Sequence, residues 1–294
     1  MSDQINVAFI QDYKNTVALL LQQLDSRFRS AVTEDTYTGK AGKAVEQLGA
    51  VNAQKRTTRH SDMPLISTPH DARWVFPEDY EWADLIDSQD KLRMIIDPTN
   101  AYAVNGTAAM RRSLDDEIIG AFFGTAKTGE NGTTNTAFDT GNQVAATVGA
   151  GAATGMNVAK LRAAKKILMA NEVDVDSDTL YCGLSAEQHD DLLAETQAIN
   201  LDYTDRPTLV DGRIKAFMGF NFIDSERLPI NGSSQRRCPV WAKSGMHLGI
   251  WGDMETDISR RADKSGRPWQ VYLMETIGAT RLEEGKVAEI ICAE

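Results

Sequence analysis

The chain has 294 residues, 42% hydrophobic and 25% charged, with a net charge of -11 and a pI near 4.9. That length buries a core in one large domain or two ordinary ones, and the acidic balance argues against general nucleic-acid binding, which needs clustered Lys and Arg to neutralise phosphate. No apolar run approaches the roughly 20 residues that span a bilayer; Asp3 near the start and the lack of a basic n-region do not fit a signal peptide; and three dispersed cysteines, Cys182, Cys238 and Cys292, read as free thiols in a reducing compartment.

In chain order, residues 13–32 carry a helical stripe of Val17, Leu20, Leu21, Leu24 and Phe28, with Gln22, Gln23, Asp25, Arg27 and Arg29 on the other face. This predicts an amphipathic helix whose stripe must be covered by the chain's own core or by another subunit. Residues 33–90 predict two extended arms, around Ala44–Val51 and Ala72–Phe76, joined by a polar segment, AVNAQKRTTRHSDM (50–63). Such a long hairpin has little apolar content of its own and is marginal in isolation. A loop of this length is normally functional or disordered. Its basic tip, Lys55, Arg56 and Arg59, is followed by an acidic block, EDYEWADLIDSQD, containing Asp84 and Asp87. The tip reads as a solvated loop, a phosphate contact, or a reach toward an acidic surface on another copy, which sign complementarity favours.

From Pro98 the pattern predicts a helix with Met110, Leu114, Ile118, Ala121 and Phe122 on one side and Gly124 as its stop. Residues 125–156 predict a loop around one weak strand, Val144–Val148. Asn157 predicts a helix cap with Val158, Leu161, Ala164 and Leu168 inward. TLYCGL (179–184) predicts a buried strand, and Ser185 with Gln188 a capping box. After Pro207 the chain predicts strands at Ile214–Met218, Phe220–Ile223, Pro239–Ala242, His247–Trp251, Trp269–Thr280 and Lys286–Ile291. The run WQVYLMETIGAT alternates, with Val271, Leu273, Glu275 and Ile277 sharing a face.

The strongest enzyme signal is GAGAATG (149–155), placed between the strand-like VAATV and a helix, where glycines cradle a dinucleotide pyrophosphate. Its spacing departs from G-x-G-x-x-G, the acidic residues fall in the wrong place, and no further βαβ units follow, so a flexible loop is the simpler reading. Cys182, His189, Cys238 and His247 match no zinc spacing. Ser244 and His247 lie close in sequence without the marks of a nucleophile and its base. The expectation is a protein with no catalytic residues, no cofactor and no metal.

The C-terminal stretch RRADKSGRPWQVYLMETIGATRLEEGKVAEIICAE resembles the end of tailed-phage major capsid proteins, and GRIKAFMGFNFIDSERLP (212–229) resembles a strand pair of their axial domain. The element order is similar across nearly the whole chain: arm, extended loop, spine helix, mixed central domain, final long strand. The resemblance implies an α+β Hong Kong 97-like major capsid fold. It implies an N-terminal arm at 1–35, an extended loop at 36–90, a peripheral domain from 91–171 and 255–294, and an axial domain at 172–254. It further implies self-assembly into hexamers and pentamers of an icosahedral shell, located in the virion and assembled in the host bacterial cytoplasm. The chain opens almost directly into the arm, which implies a separate scaffolding protein beside a portal and a decoration protein. Packaged DNA would meet only non-specific contacts, since a wall that is not strongly basic lets it slide.

The expected inter-subunit residues are Lys55, Arg56, Arg59, Trp74, Phe76, Asp84, Asp87, Leu20, Leu24 and Phe28. Lysines 40, 43 and 55 lie in the loop, but no cross-linking Asn or catalytic acid can be assigned beside them. The alternatives are an encapsulin-type compartment with the same fold and a nucleotide-dependent enzyme using 149–155.

Overall fold

The computed structural model describes residues 22–59, 63, 65–86, 99–195 and 212–294. It is a mixed α+β chain, and the described residues divide between two compact units. The first comprises residues up to Asp25, Glu81–Arg112 and Met254–Glu275; the second comprises Ser26–Tyr80, Ser113–Asp253 and Thr276–Glu294.

The strands, in chain order, are β1 Thr33–Thr36, β2 Gly42–Leu48, β3 His70–Val75, β4 Glu78–Ile86, β5 Ala126–Thr128, β6 Thr134–Thr136, β7 Gln143–Val144, β8 Leu180–Leu184, β9 Ala216–Phe217, β10 Phe220–Asp224, β11 Gln235–Ala242, β12 Met246–Arg260, β13 Trp269–Arg281 and β14 Val287–Ala293. The helices are α1 Thr99–Phe123, α2 Val158–Ala170 and α3 Ala186–Ala194. Three sheets result, in the orders β1-β12-β13-β4, β7-β14-β11-β8-β10-β9 and β2-β3-β5-β6. Among the described residues no helix is long and apolar enough to cross a membrane.

The second unit holds the main core. Trp241 of β11 is fully buried and stacks on Phe28 at 5.9 Å and Tyr181 at 5.6 Å, with Phe122 at 4.5 Å. Its indole N–H donates to the Ala31 carbonyl at 2.9 Å, so its one polar atom is satisfied. Of the predicted inward residues of α1 that fall in this unit, Leu114, Ile118 and Phe122 are buried and Ala121 is half-buried, and Gly124 N–H closes onto the Gly120 carbonyl at 2.9 Å. Helix α2 starts as expected, with the Asn157 side chain accepting from Lys160 N–H at 2.8 Å, and the capping box of α3 is formed by Ser185 and Gln188. All three cysteines are reduced and sealed in this core; burial pushes the Cys182 thiol up, and a contact with Cys292 together with burial raises Cys238.

In the first unit the alternation of β13 holds: Val271, Leu273 and Glu275 point inward. A Cβ on Gly106 of α1 would lie 2.5 Å from the Trp82 ring, so the helix approaches β4 only because that side chain is missing.

Two expectations are corrected. The helix predicted to residue 32 does not continue through 22–32: a 3-10 turn at Arg29–Ala31 leads into β1. The cause is Asp115, buried on α1, which accepts from Ser26 Oγ at 2.5 Å and from the backbone N–H groups of Arg27 and Phe28 at 3.0 and 3.3 Å. Those amides are committed to a carboxylate and not to a helix. The weak strand at Val144–Val148 reduces to Gln143–Val144, because Val148 N–H turns back onto the Ala145 carbonyl at 3.2 Å.

Candidate assembly surface

The predicted hairpin is present. β2 and β3 pair antiparallel from Gly42↔Val75 to Leu48↔His70, with a register shift between Lys43 and Val45. Gly49 N–H donates to the Pro69 carbonyl at 2.8 Å, so the ladder closes there. The root is held by specific bonds inside the second unit. Trp74 donates its indole N–H to the Gly129 carbonyl at 2.8 Å and covers Gly132, whose φ of 67° and contact with the ring leave no room for a side chain. Gln47 donates to the Leu282 carbonyl at 2.5 Å, and the Arg73 guanidinium meets Glu284 at 3.2 Å.

Glu284 is shared with Arg281, whose side chain is fully buried. One Arg281 nitrogen donates to the carbonyls of Ala121, Phe122 and Gly124 at 3.1, 2.9 and 2.6 Å. A cation thus sits on the orphan carbonyls where α1 ends, the position favoured by the helix dipole. Burial pulls the Arg281 guanidinium down from its ordinary range, and Glu284 opposes that shift.

The strand leading into the hairpin is pinned by His247. Thr33 Oγ1 donates to the Met246 carbonyl at 2.7 Å, and its oxygen lies 3.0 Å from His247 Nδ1. Tyr37 Oη lies 2.8 Å from Nε2. This set is satisfied by the neutral ring with its proton on Nδ1. Burial lowers the His247 pKa, partly opposed by Asp35.

The described part of the loop stays uncovered. Lys55, Arg56 and Arg59 are exposed, and Arg56 donates to the Thr58 carbonyl at 3.1 Å. Sequence reasoning missed its apolar part: Leu48 is 66% exposed, Met63 86% and Leu65 96%, with Val51 and Ile66 also open. The signal was present in MPLI (63–66), next to the basic residues that drew the eye.

The other expected contact residues divide. Trp74 is half-buried, and its indole serves the root. Phe76 remains 40% exposed. Phe28 is a correction: it is at 0% exposure in its own core, because Asp115 folds the chain inward there. Leu24 is 55% exposed, and Asp84 lies half-buried on β4. Leu20 and Asp87 lie outside the described residues.

At the end of the glycine-rich segment 149–155 an acceptor from the chain itself already meets the helix start. Met156 N–H donates to the Asp191 carboxylate at 2.9 Å, and the Asn157 side chain accepts from Lys160 N–H at 2.8 Å. The Lys160 ammonium, buried, donates to the carbonyls of Thr154, Gly155 and Ile291 at 2.6, 2.9 and 2.9 Å. A carboxylate already occupies the place where a pyrophosphate would sit.

A family model described as "Phage capsid protein" matches residues 5–294. The chain belongs to the phage capsid protein family. Among solved structures it is similar to the capsid of cyanophage P-SCSP1u, at 16% identity over 99% of this chain and 94% of that one, with a TM-score of 0.77. It is also similar to that of Mycobacterium phage Che8, at 13% identity over 96% and 97% with a TM-score of 0.73. For the capsid of cyanophage Pam1 the values are 14%, 98%, 97% and 0.72. These likenesses give this capsid protein the Hong Kong 97-like fold that its sequence resembled. No curated protein matches the sequence.

Proposed function

We propose that this capsid protein is the major shell subunit of a tailed phage, assembling into hexamers and pentamers of an icosahedral shell around double-stranded DNA. Within that reading residues 1–35 are the arm, 36–90 the extended loop, 91–171 with 255–294 the peripheral domain and 172–254 the axial domain. Scaffolding, portal and decoration proteins are its partners, and assembly takes place in the host cytoplasm. The carrying observation is the hairpin: a firmly fixed root presents a loop whose apolar and basic side chains its own chain leaves in water.

Removing such side chains from water contributes about 25 cal/mol per Å² of apolar area, whereas each exposed ion pair contributes only about 0–1 kcal/mol. Leu48, Leu65 and Ile66 therefore supply the affinity of the loop for a sister copy. Lys55, Arg56 and Arg59 supply direction, toward acidic positions such as Asp84 and Asp87. The function is binding, repeated many times over, and no step of it requires catalysis.

Negative-stain microscopy of the purified protein, with and without its scaffold, tests the proposal; closed particles are expected. R56E/R59E is expected to leave soluble, folded subunits that form no particles. Particles of normal size from that variant would refute the role of the loop tip.

A further inference from the structure

A second surface lies on α2. Its outward side, with Met218 from the β9–β10 turn, forms an open groove of 760 Å³. Ala163, Met169 and Met218 give it an apolar floor, and Arg162, Lys165 and Lys166 a basic rim. Lys165 is tied to the Met218 carbonyl at 2.9 Å and so fixes the shape of one wall. Arg162 and Lys166 are exposed, and no ion pair is formed by either among the described residues. Of the acids that follow α2, Asp174 is held by Ser177 and by the amide of Asp176, and Asp178 by Ser244, while Glu172 and Asp176 are exposed. Methionines make an adaptable floor for an apolar side chain, and a groove with such a floor suits a helix face better than a phosphate backbone.

The complement is on the same chain. Helix α3 exposes Glu187 and Asp190 beside Ala186 and Ala194. Neither acid forms an ion pair among the described residues. We propose that the α2 groove receives the acidic face of α3 from a second copy of this chain. The two surfaces differ, so the contact is heterologous, and repeated in one sense it generates a ring where its rotation closes. This rests on the shell reading and names one of the contacts that would close its capsomers.

Four proteins decide it: wild type, R162E/K166E, E187K/D190K, and the variant carrying all four changes. The substituted side chains are exposed, so circular dichroism is expected to show folded subunits throughout. Each pair alone is expected to abolish particles, and the four-fold variant, with the charges exchanged across the contact, to restore them. Normal particles from either pair alone overturn the inference. So does loss with R162E/K166E alone, which would assign the groove to a separate acidic protein, and so does failure of the four-fold variant to recover. Wild type that forms no particles counts against the shell reading itself. In that case sedimentation of the four soluble proteins decides the contact: association in wild type, loss in each pair and recovery in the four-fold variant support it, and any other pattern overturns it.

Discussion

Arg281 offers the sharpest test of how the hairpin root and the spine helix are held together. Replacing it by Met keeps volume and removes the cation. Three carbonyls at the end of α1 lose their donor, and Glu284 keeps only Arg73 as a cationic partner. Hydrogen bonds to a charged group contribute about 1.5–3 kcal/mol each. They are not additive here, because one nitrogen serves all three carbonyls. Breaking a buried ionic cluster by deleting one member costs about 3–5 kcal/mol. R281M is therefore expected to lose about 3–5 kcal/mol, read from urea unfolding followed by circular dichroism. R281K, with one ammonium for a forked site, should fall between it and wild type. R281M/E284Q should recover part of the loss by removing the stranded carboxylate. An R281M protein within about 0.5 kcal/mol of wild type, the usual range of an inert surface change, would refute the reasoning.

His247 sets a pH dependence. Its folded pKa lies below the ordinary value of 6.5, so the unfolded chain binds the proton more readily. The stabilisation is present above pH 6.5 and lost as pH falls from there through the folded value; H247Q should flatten that segment of a stability–pH curve, measured against wild type. N157A removes the cap of α2 and should cost about 0.5–2 kcal/mol in urea unfolding. G278A places a Cβ 2.1 Å from the Phe76 carbonyl oxygen. Overpacking of that kind costs about 1–3 kcal/mol, read as a lowered urea midpoint.

Features governed by neighbours in sequence were legible. The caps at Asn157 and Ser185, the inward stripe of α1, the alternation of β13 and the pairing arms of the hairpin all follow from local spacing. Features governed by distant residues were not. Asp115 ends the N-terminal helical pattern from 88 positions away by taking the Arg27 amide, and no periodicity announces that. The same holds for Arg281, which reads in sequence as one more surface cation after an alternating strand. The candidate assembly surface was half legible: its charge stood out in the sequence, whereas its apolar share depends on Leu65 and Met63 lying exposed.

The three thiols sealed around β8, β11 and β14 give the protein a built-in reporter of breathing. A water-soluble alkylating reagent attacks a thiolate, and burial withholds both access and ionisation at Cys182 and Cys238. Modification therefore proceeds only through openings that expose this sheet. Its rate, followed in free subunits and again after they are joined, measures how far association restrains the motion of each chain, with no label added.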